Sequence, residues 1–128
     1  MGIFLKDMSL KGKTALITGA TKGLGRGAAE AIAEAGGNII AIGRNQSELN
    51  SLGKKIKKLK VKYTSFNCDV NNYDKIKNFI TNLKKLDILV NNAGTNIPEN
   101  FLNVKKTSLE TLLNVNTKAV FNIAQLCA

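Results

Sequence analysis

Thr18-Gly19-Ala20-Thr21-Lys22-Gly23-Leu24-Gly25 is the stretch whose residue types and spacing are best suited to chemistry, and that chemistry is the holding of a phosphate. It follows a short apolar run and opens directly into an Ala-rich segment. Glycine permits positive φ and lets a ligand approach the backbone closely. The N–H groups at a helix start, aligned with the helix dipole, attract an anion. A plain strand-to-helix turn is served by one glycine, whereas Gly19, Gly23 and Gly25 at this spacing favour a phosphate cradle. The pattern is Gly-x-x-x-Gly-x-Gly, not Gly-x-Gly-x-x-Gly, and it lacks the Gly-Lys-Ser/Thr ending of a P-loop nucleotide hydrolase.

Other polar residues stand at the ends of apolar runs. Asp69-Val70 follows one such run and Asn91-Asn92-Ala93-Gly94 another. An Asp in the first place suits a helix cap, and the asparagines suit loop hydrogen bonding. Arg44 follows Ala41-Ile42-Gly43, where a dinucleotide fold that prefers NAD places an acid on the ribose 2′-hydroxyl. The first acid beyond it is Glu48, inside the next helix. An arginine instead fits a 2′-phosphate bidentately, and Lys22 adds charge to the loop. Asn116 interrupts an apolar stripe of Leu109, Leu112, Leu113, Val120, Ile123, Ala124 and Cys127. A buried amide costs about 1–3 kcal/mol unless it is hydrogen-bonded. The chain has no histidine, which removes imidazole bases and most zinc sites, so no metal is expected.

The elements that must position these residues alternate. Strands are expected over Lys13–Thr18, Asn38–Ile42, Val61–Phe66 and Asp87–Val90. Helices are expected over Leu24–Ala35, stopped by Gly36-Gly37; from an Asn45 cap, with Glu48 as capping-box partner, towards Leu59; from Asn71 or Asn72 through Ile76, Phe79, Ile80 and Leu83; and from a Thr107 cap paired with Glu110 to the last residue. The strands are continuous apolar runs, as in a parallel sheet covered on both faces. The expected fold is α/β, a Rossmann-type doubly wound parallel sheet, βαβαβαβα, with strand order 3-2-1-4. Ligands bind such sheets at the carboxyl ends of the strands flanking the switch point, here after Thr18 and at Asn91–Gly94. A doubly wound sheet has two such halves, and residues 1–128 read as the N-terminal one, a truncated dinucleotide-binding domain.

Thr-Gly-x-x-x-Gly-x-Gly at residues 18–25, Asp69-Val70 and Asn91-Asn92-Ala93-Gly94, in register from Leu10 onward, resemble the short-chain dehydrogenase/reductase family. The resemblance implies that Gly19, Ala20, Thr21, Lys22, Gly23, Leu24 and Gly25 hold a nicotinamide dinucleotide. It implies that Asp69 bonds the adenine amino group, with Val70 against the ring. Asn91 would brace the sheet, and the backbone at Ala93 and Gly94 would lie along the cofactor. Asn116 matches the active-site asparagine that helps hold a water in a proton relay. Gly43 occupies the position of the NAD-selecting acid and Arg44 the NADP-selecting position, so NADP(H) is the expected cofactor. The family's serine, tyrosine and lysine would follow Ala128, and this chain alone is expected to be inactive. Tyr73-x-x-x-Lys77 spells the tyrosine–lysine pattern but follows the third strand, on the adenine side, and is rejected as chance. The implied activity is reduction of a ketone or oxidation of a secondary alcohol. The short lead and Gly43-Arg44-Asn45 look most like 3-oxoacyl-carrier-protein reductases, with sugar or polyol reductases nearly as similar; a non-catalytic dinucleotide-binding module is the remaining reading. The resemblance also implies a homodimer or homotetramer built through the last helix.

Composition bounds the partners. The net charge is +10, and the densest run is Lys54, Lys55, Lys57, Lys58, Lys60 and Lys62. No aromatic residue interleaves with it before Tyr63, so it reads as a solvated helix end and not a nucleic-acid surface. A positive field suits an anionic cofactor or an acidic substrate; the resemblance implies a small carbonyl or alcohol substrate, and the basic surface is compatible with one borne by an acidic carrier protein. No apolar run approaches the ~20 residues that span a bilayer. Met1–Lys6 is too short an apolar stretch for a secretory signal, and Cys68 and Cys127 read as free thiols, so a cytoplasmic protein is expected.

Overall fold

The computed structural model describes residues 8–128; Met1–Lys6, and with them the reading of a missing signal, lie outside the described residues. The chain runs β1 (Thr14–Thr18), α1 (Gly23–Glu34), β2 (Asn38–Gly43), α2 (Gln46–Lys57), β3 (Tyr63–Asn67), α3 (Tyr73–Thr81) and β4 (Ile88–Val90). A 3₁₀ turn (Phe101–Asn103), α4 (Lys106–Leu113), a widened π turn (Asn114–Lys118) and α5 (Ala119–Cys127) complete it. The strands form one parallel sheet in the order β3-β2-β1-β4, as expected. Leu16 sits between Ile40 and Leu89 in register.

Successive strand residues face opposite sides, so each apolar run serves two cores. Ala15, Ile17, Ile39 and Ala41 pack under α1 and α2 against Ala29, Ala33, Leu52 and Ile56. Leu16, Ile40 and Ile42 face the other way, towards Ile76 and Ile80 of α3 and Ile123 of α5. On α1 the buried residues are Gly25, Ala29 and Ala33, four apart, and these small side chains bring the helix close to the sheet. Phe66 and Phe79 stack with ring centres 4.3 Å apart.

Local stop and start signals act mostly as expected. Gly36, at φ 93°, ends α1, with the Gly37 N–H donating to the Ile32 carbonyl at 2.9 Å. Asn45 and Asn72 cap α2 and α3, each accepting the N–H three residues on. The Thr107 cap does not form. The helix starts at Lys106, after Lys105 and two residues earlier than a Thr107 cap would give, so Thr107 lies within its first turn, and its carbonyl accepts the Thr111 hydroxyl. Nor is the last helix one continuous stripe. The π turn holds an extra residue, which rotates α4 by about 100° relative to α5. Ile123 is buried, but Leu109 and Leu113 are about half exposed and Ala124 faces solvent. Asn116 is likewise exposed, not buried in the stripe. Cys68 is buried, Cys127 half-buried, and both are free thiols. No helix among the described residues is long and apolar enough to cross a membrane.

Side chains also tie the outer elements together. Tyr63 on β3 lies over Gly53 of α2, and its hydroxyl donates to the Leu49 carbonyl at 2.6 Å. Burial pushes its phenol pKa up. Glu30 of α1 bonds Lys55 of α2 at 2.9 Å and Arg26 at 3.1 Å, and the Lys55 bond above all holds its carboxyl below the ordinary 4.5. Tyr63→Phe is expected to lower unfolding free energy by about 0.5–1.5 kcal/mol in urea titration. The depressed Glu30 value implies stability that is complete above pH 4.5 and lost as pH falls through the folded value. Acid unfolding of Glu30→Gln should therefore show a shallower dependence on pH than the parent protein over that range.

Candidate functional site

The carboxyl ends of β1 and β4 lie side by side, and a buried hydroxyl joins them. Thr18 Oγ1 accepts the N–H of Asn92 at 3.0 Å and that of Ala93 at 2.9 Å. The Asn92 amide returns across the gap, Nδ2 donating to the carbonyls of Thr18 (3.2 Å) and Gly19 (3.1 Å). The expected sheet brace thus comes from Asn92. Asn91 Nδ2 reaches instead to the Val120 carbonyl on α5, at 2.8 Å.

The chain leaves β1 through Gly19 at φ 62° and enters α1 at Gly23, φ 55°. A Cβ at Gly25 would run into the Gly19 carbonyl oxygen and Asn92 Nδ2, so a larger residue there would push the helix start off the sheet. Lys22 is extended and its side chain caps nothing. The peptide N–H groups from Thr21 through Gly25 meet no acceptor among the described residues, and no acid stands in the first turn of α1. Bare amides at the positive end of a helix are an anion site. The cradle that the glycine spacing predicts is open.

Beyond it lies a cleft of about 680 Å³, walled by the segments that follow all four strands. Gly19, Thr21 and Lys22 line it from the loop, Arg44 from the end of β2, Asp69 and Val70 from beyond β3, and Ala93 and Gly94 from beyond β4. The other expected residues lie outside that lining. Ala20 is fully buried, Leu24 is 88% exposed, and Gly23, Gly25 and Asn91 shape the site through backbone conformation, close approach or the bond to α5. Asp69 Oδ1 accepts the Asn71 N–H at 2.9 Å.

Asn116 is also outside the lining, but it grips a strip of the wall. Its Oδ1 accepts the Thr95 N–H and its Nδ2 donates to the Thr95 carbonyl, both at 2.8 Å. The π turn places it there, while its neighbours Thr111 and Val115 face the cleft. Tyr73 begins α3 and does not line the cleft. The thiol of Cys68 does, with its pKa pushed up by burial.

The charged wall differs from expectation in one respect. Asn45 caps α2, but no bond from Glu48 to the Asn45 N–H closes a capping box among the described residues. Glu48 turns towards the glycine loop, where Oε1 lies 3.7 Å from Lys22 Nζ. Arg44 forms no ion pair among the described residues. Sequence reasoning missed Thr18 and Asn92 as braces and Glu48 as part of the wall. The only signal for the first two was an uncapped polar residue at a buried strand end.

A sequence profile described as short chain dehydrogenase matches residues 13–128. L-xylulose reductase of Mus musculus is 32% identical over 122 residues, covering 95% of this chain and 48% of the relative. The 3-oxoacyl-acyl-carrier-protein reductase FabG of Rickettsia conorii is 36% identical over 114 residues, covering 89% and 46%. The chain spans about half the length of the curated relatives it matches. L-sorbose reductase from Gluconobacter frateurii, solved with NADPH and L-sorbose, superposes with a TM-score of 0.87 at 26% identity over 94% of this chain and 48% of that one. Carveol dehydrogenase from Mycobacterium avium, solved with NAD, gives 0.82 at 25% identity over 91% and 48%.

The brace is open to direct test. Thr18→Val leaves the Ala93 N–H without its acceptor and the Asn92 N–H with only the Val90 carbonyl, while the Asn92 side-chain bonds remain. A loss of about 1–3 kcal/mol is expected in chemical denaturation, and Thr18→Ser should retain most of it.

Proposed function

The chain belongs to the short-chain dehydrogenase family, and on that premise we propose that it holds NADP(H) for an oxidoreductase interconverting a ketone and a secondary alcohol. The observation that carries the reading is the row of N–H groups from Thr21 through Gly25 that meet no acceptor among the described residues, set where β1 and β4 adjoin. A dinucleotide pyrophosphate is the anion suited to such a row. The cleft beside it has an arginine and no acid directly after β2, which suits a 2′-phosphate. A Cβ at Gly43 would come within 2.8 Å of Thr21 Cγ2, so an acid at that place would require the Thr21 side chain to shift.

In this reading the loop amides hold the pyrophosphate and Arg44 grips the 2′-phosphate. Asp69 accepts from the adenine amino group through the oxygen not used on Asn71, with Val70 against the ring. The strip Ala93–Thr95 supports the nicotinamide end. Asn116 is a positioning residue: its side chain is committed to Thr95, and through it the strip keeps its place. When bound, the cofactor supplies or accepts the hydride. Reductases of carrier-linked 3-oxoacyl groups and of a sugar stand among the relatives at similar identity. We favour a carrier-linked 3-oxoacyl substrate on the basic surface, with a sugar ketone second, and a homo-oligomer that covers Leu109, Leu113 and Phe121.

Isothermal titration with NADPH and then NADH tests the reading. NADPH should bind and NADH much more weakly. Arg44→Ala should weaken NADPH roughly tenfold or more and leave NADH unchanged, the loss of a charge-assisted bond being about 1.5–3 kcal/mol. Equal affinity for both removes the NADP(H) assignment, and absence of binding removes the cofactor reading.

A further inference from the structure

We propose that Glu48 is a resident counter-anion at the 2′-phosphate end of the cleft, and that it limits how strongly the chain prefers NADP(H) over NAD(H). The inference rests on the NADP(H) reading and concerns a residue to which that reading gives no role.

Glu48 stands at the third position of α2, where a glutamate ordinarily turns back to the cap residue's own N–H. Here the cap bond from the Glu48 N–H to Asn45 Oδ1 forms at 3.1 Å, but the carboxylate leaves the helix and enters the wall shared with Lys22, Arg44 and Asn45. Oε1 pairs with Lys22 at 3.7 Å, and Oε2 is shielded from solvent with no hydrogen-bond partner among the described residues. The lysine side chain is 80% exposed and the glutamate's 33%, so the anion is the more enclosed member of the pair.

Charge and hydrogen-bond type alone set the effect on a ligand. The carboxylate repels a phosphate brought to the same wall, and it neutralises the lysine that would otherwise add to Arg44 there. A carboxylate, being acceptor-only, suits a hydroxyl donor and has nothing to offer a phosphate ester oxygen. Glu48 therefore works against the 2′-phosphate and is neutral or favourable towards a 2′-hydroxyl.

The test measures 2′,5′-ADP, 5′-AMP, NADPH and NADH by titration calorimetry on the full chain and on Glu48→Gln, which keeps the shape and removes the charge. Affinity for 2′,5′-ADP and NADPH should rise roughly three- to tenfold, while 5′-AMP and NADH stay equal or weaken. Glu48→Asp keeps the charge and should stay within twofold or so of the parent ratio. If the parent chain prefers NADPH and Glu48→Gln leaves that ratio unchanged or lowers it, the counter-anion role is wrong and the cofactor reading stands. If the parent binds none of the probes, both fall together.

Discussion

The structure depends on a threonine hydroxyl that accepts two peptide N–H groups from the end of the neighbouring strand. Thr18 Oγ1 and the Asn92 amide tie the end of β1 to the end of β4, and the glycine loop leaves from that knot. Because the threonine at its centre is fully buried, breaking the tie strands donors in a water-poor environment, where an unmade bond is most damaging. The tie also explains why Gly25 must lack a side chain: the Asn92 amide occupies the space a Cβ would take. Strand order, loop conformation and amide orientation are therefore parts of one constraint.

That constraint shapes one cleft of varied charge. At the loop, helix α1 presents uncompensated N–H groups and no acid in its first turn. At the outer end, Arg44 and Lys22 share a wall with Glu48. Beyond β3, Asp69 has one carboxylate oxygen on Asn71 and the other free of that bond. The cleft thus combines donor-rich, mixed-charge and acceptor surfaces in one wall. The net positive charge of the chain adds a long-range attraction for an anion that salt would weaken.

Much of this is written locally in the sequence. The strand order follows from the alternation of strands and helices. The apolar runs mark the strands by composition, and the Asn45 and Asn72 caps and the Gly36 stop act through partners within about one helical turn, so most element bounds are legible. The glycine loop is legible for the same reason, since its conformation is its own. The braces are not, because Thr18 and Asn92 lie 74 positions apart and neither has a local reason to be buried. Thr107 has the residue type of a cap but the helix starts one residue before it, and Glu48 has the spacing of a capping box but finds a cation in another element. In both cases tertiary surroundings overrode a pattern that was chemically sound. The apolar stripe on the last helix failed because a constant period was assumed across a turn that holds one residue more.

That widened turn bears on how the segment can vary. Asn116 reaches the Thr95 backbone only in the rotational phase that the extra residue provides. Deleting one neighbour of Asn116 within Asn114–Lys118 would restore regular winding and swing the amide about 100° away from its target. Replacing an outward-facing residue there would leave the geometry intact. The turn should accordingly tolerate drift in composition but not in length, a kind of constraint that belongs to the spacing of the chain and to no single side chain within it.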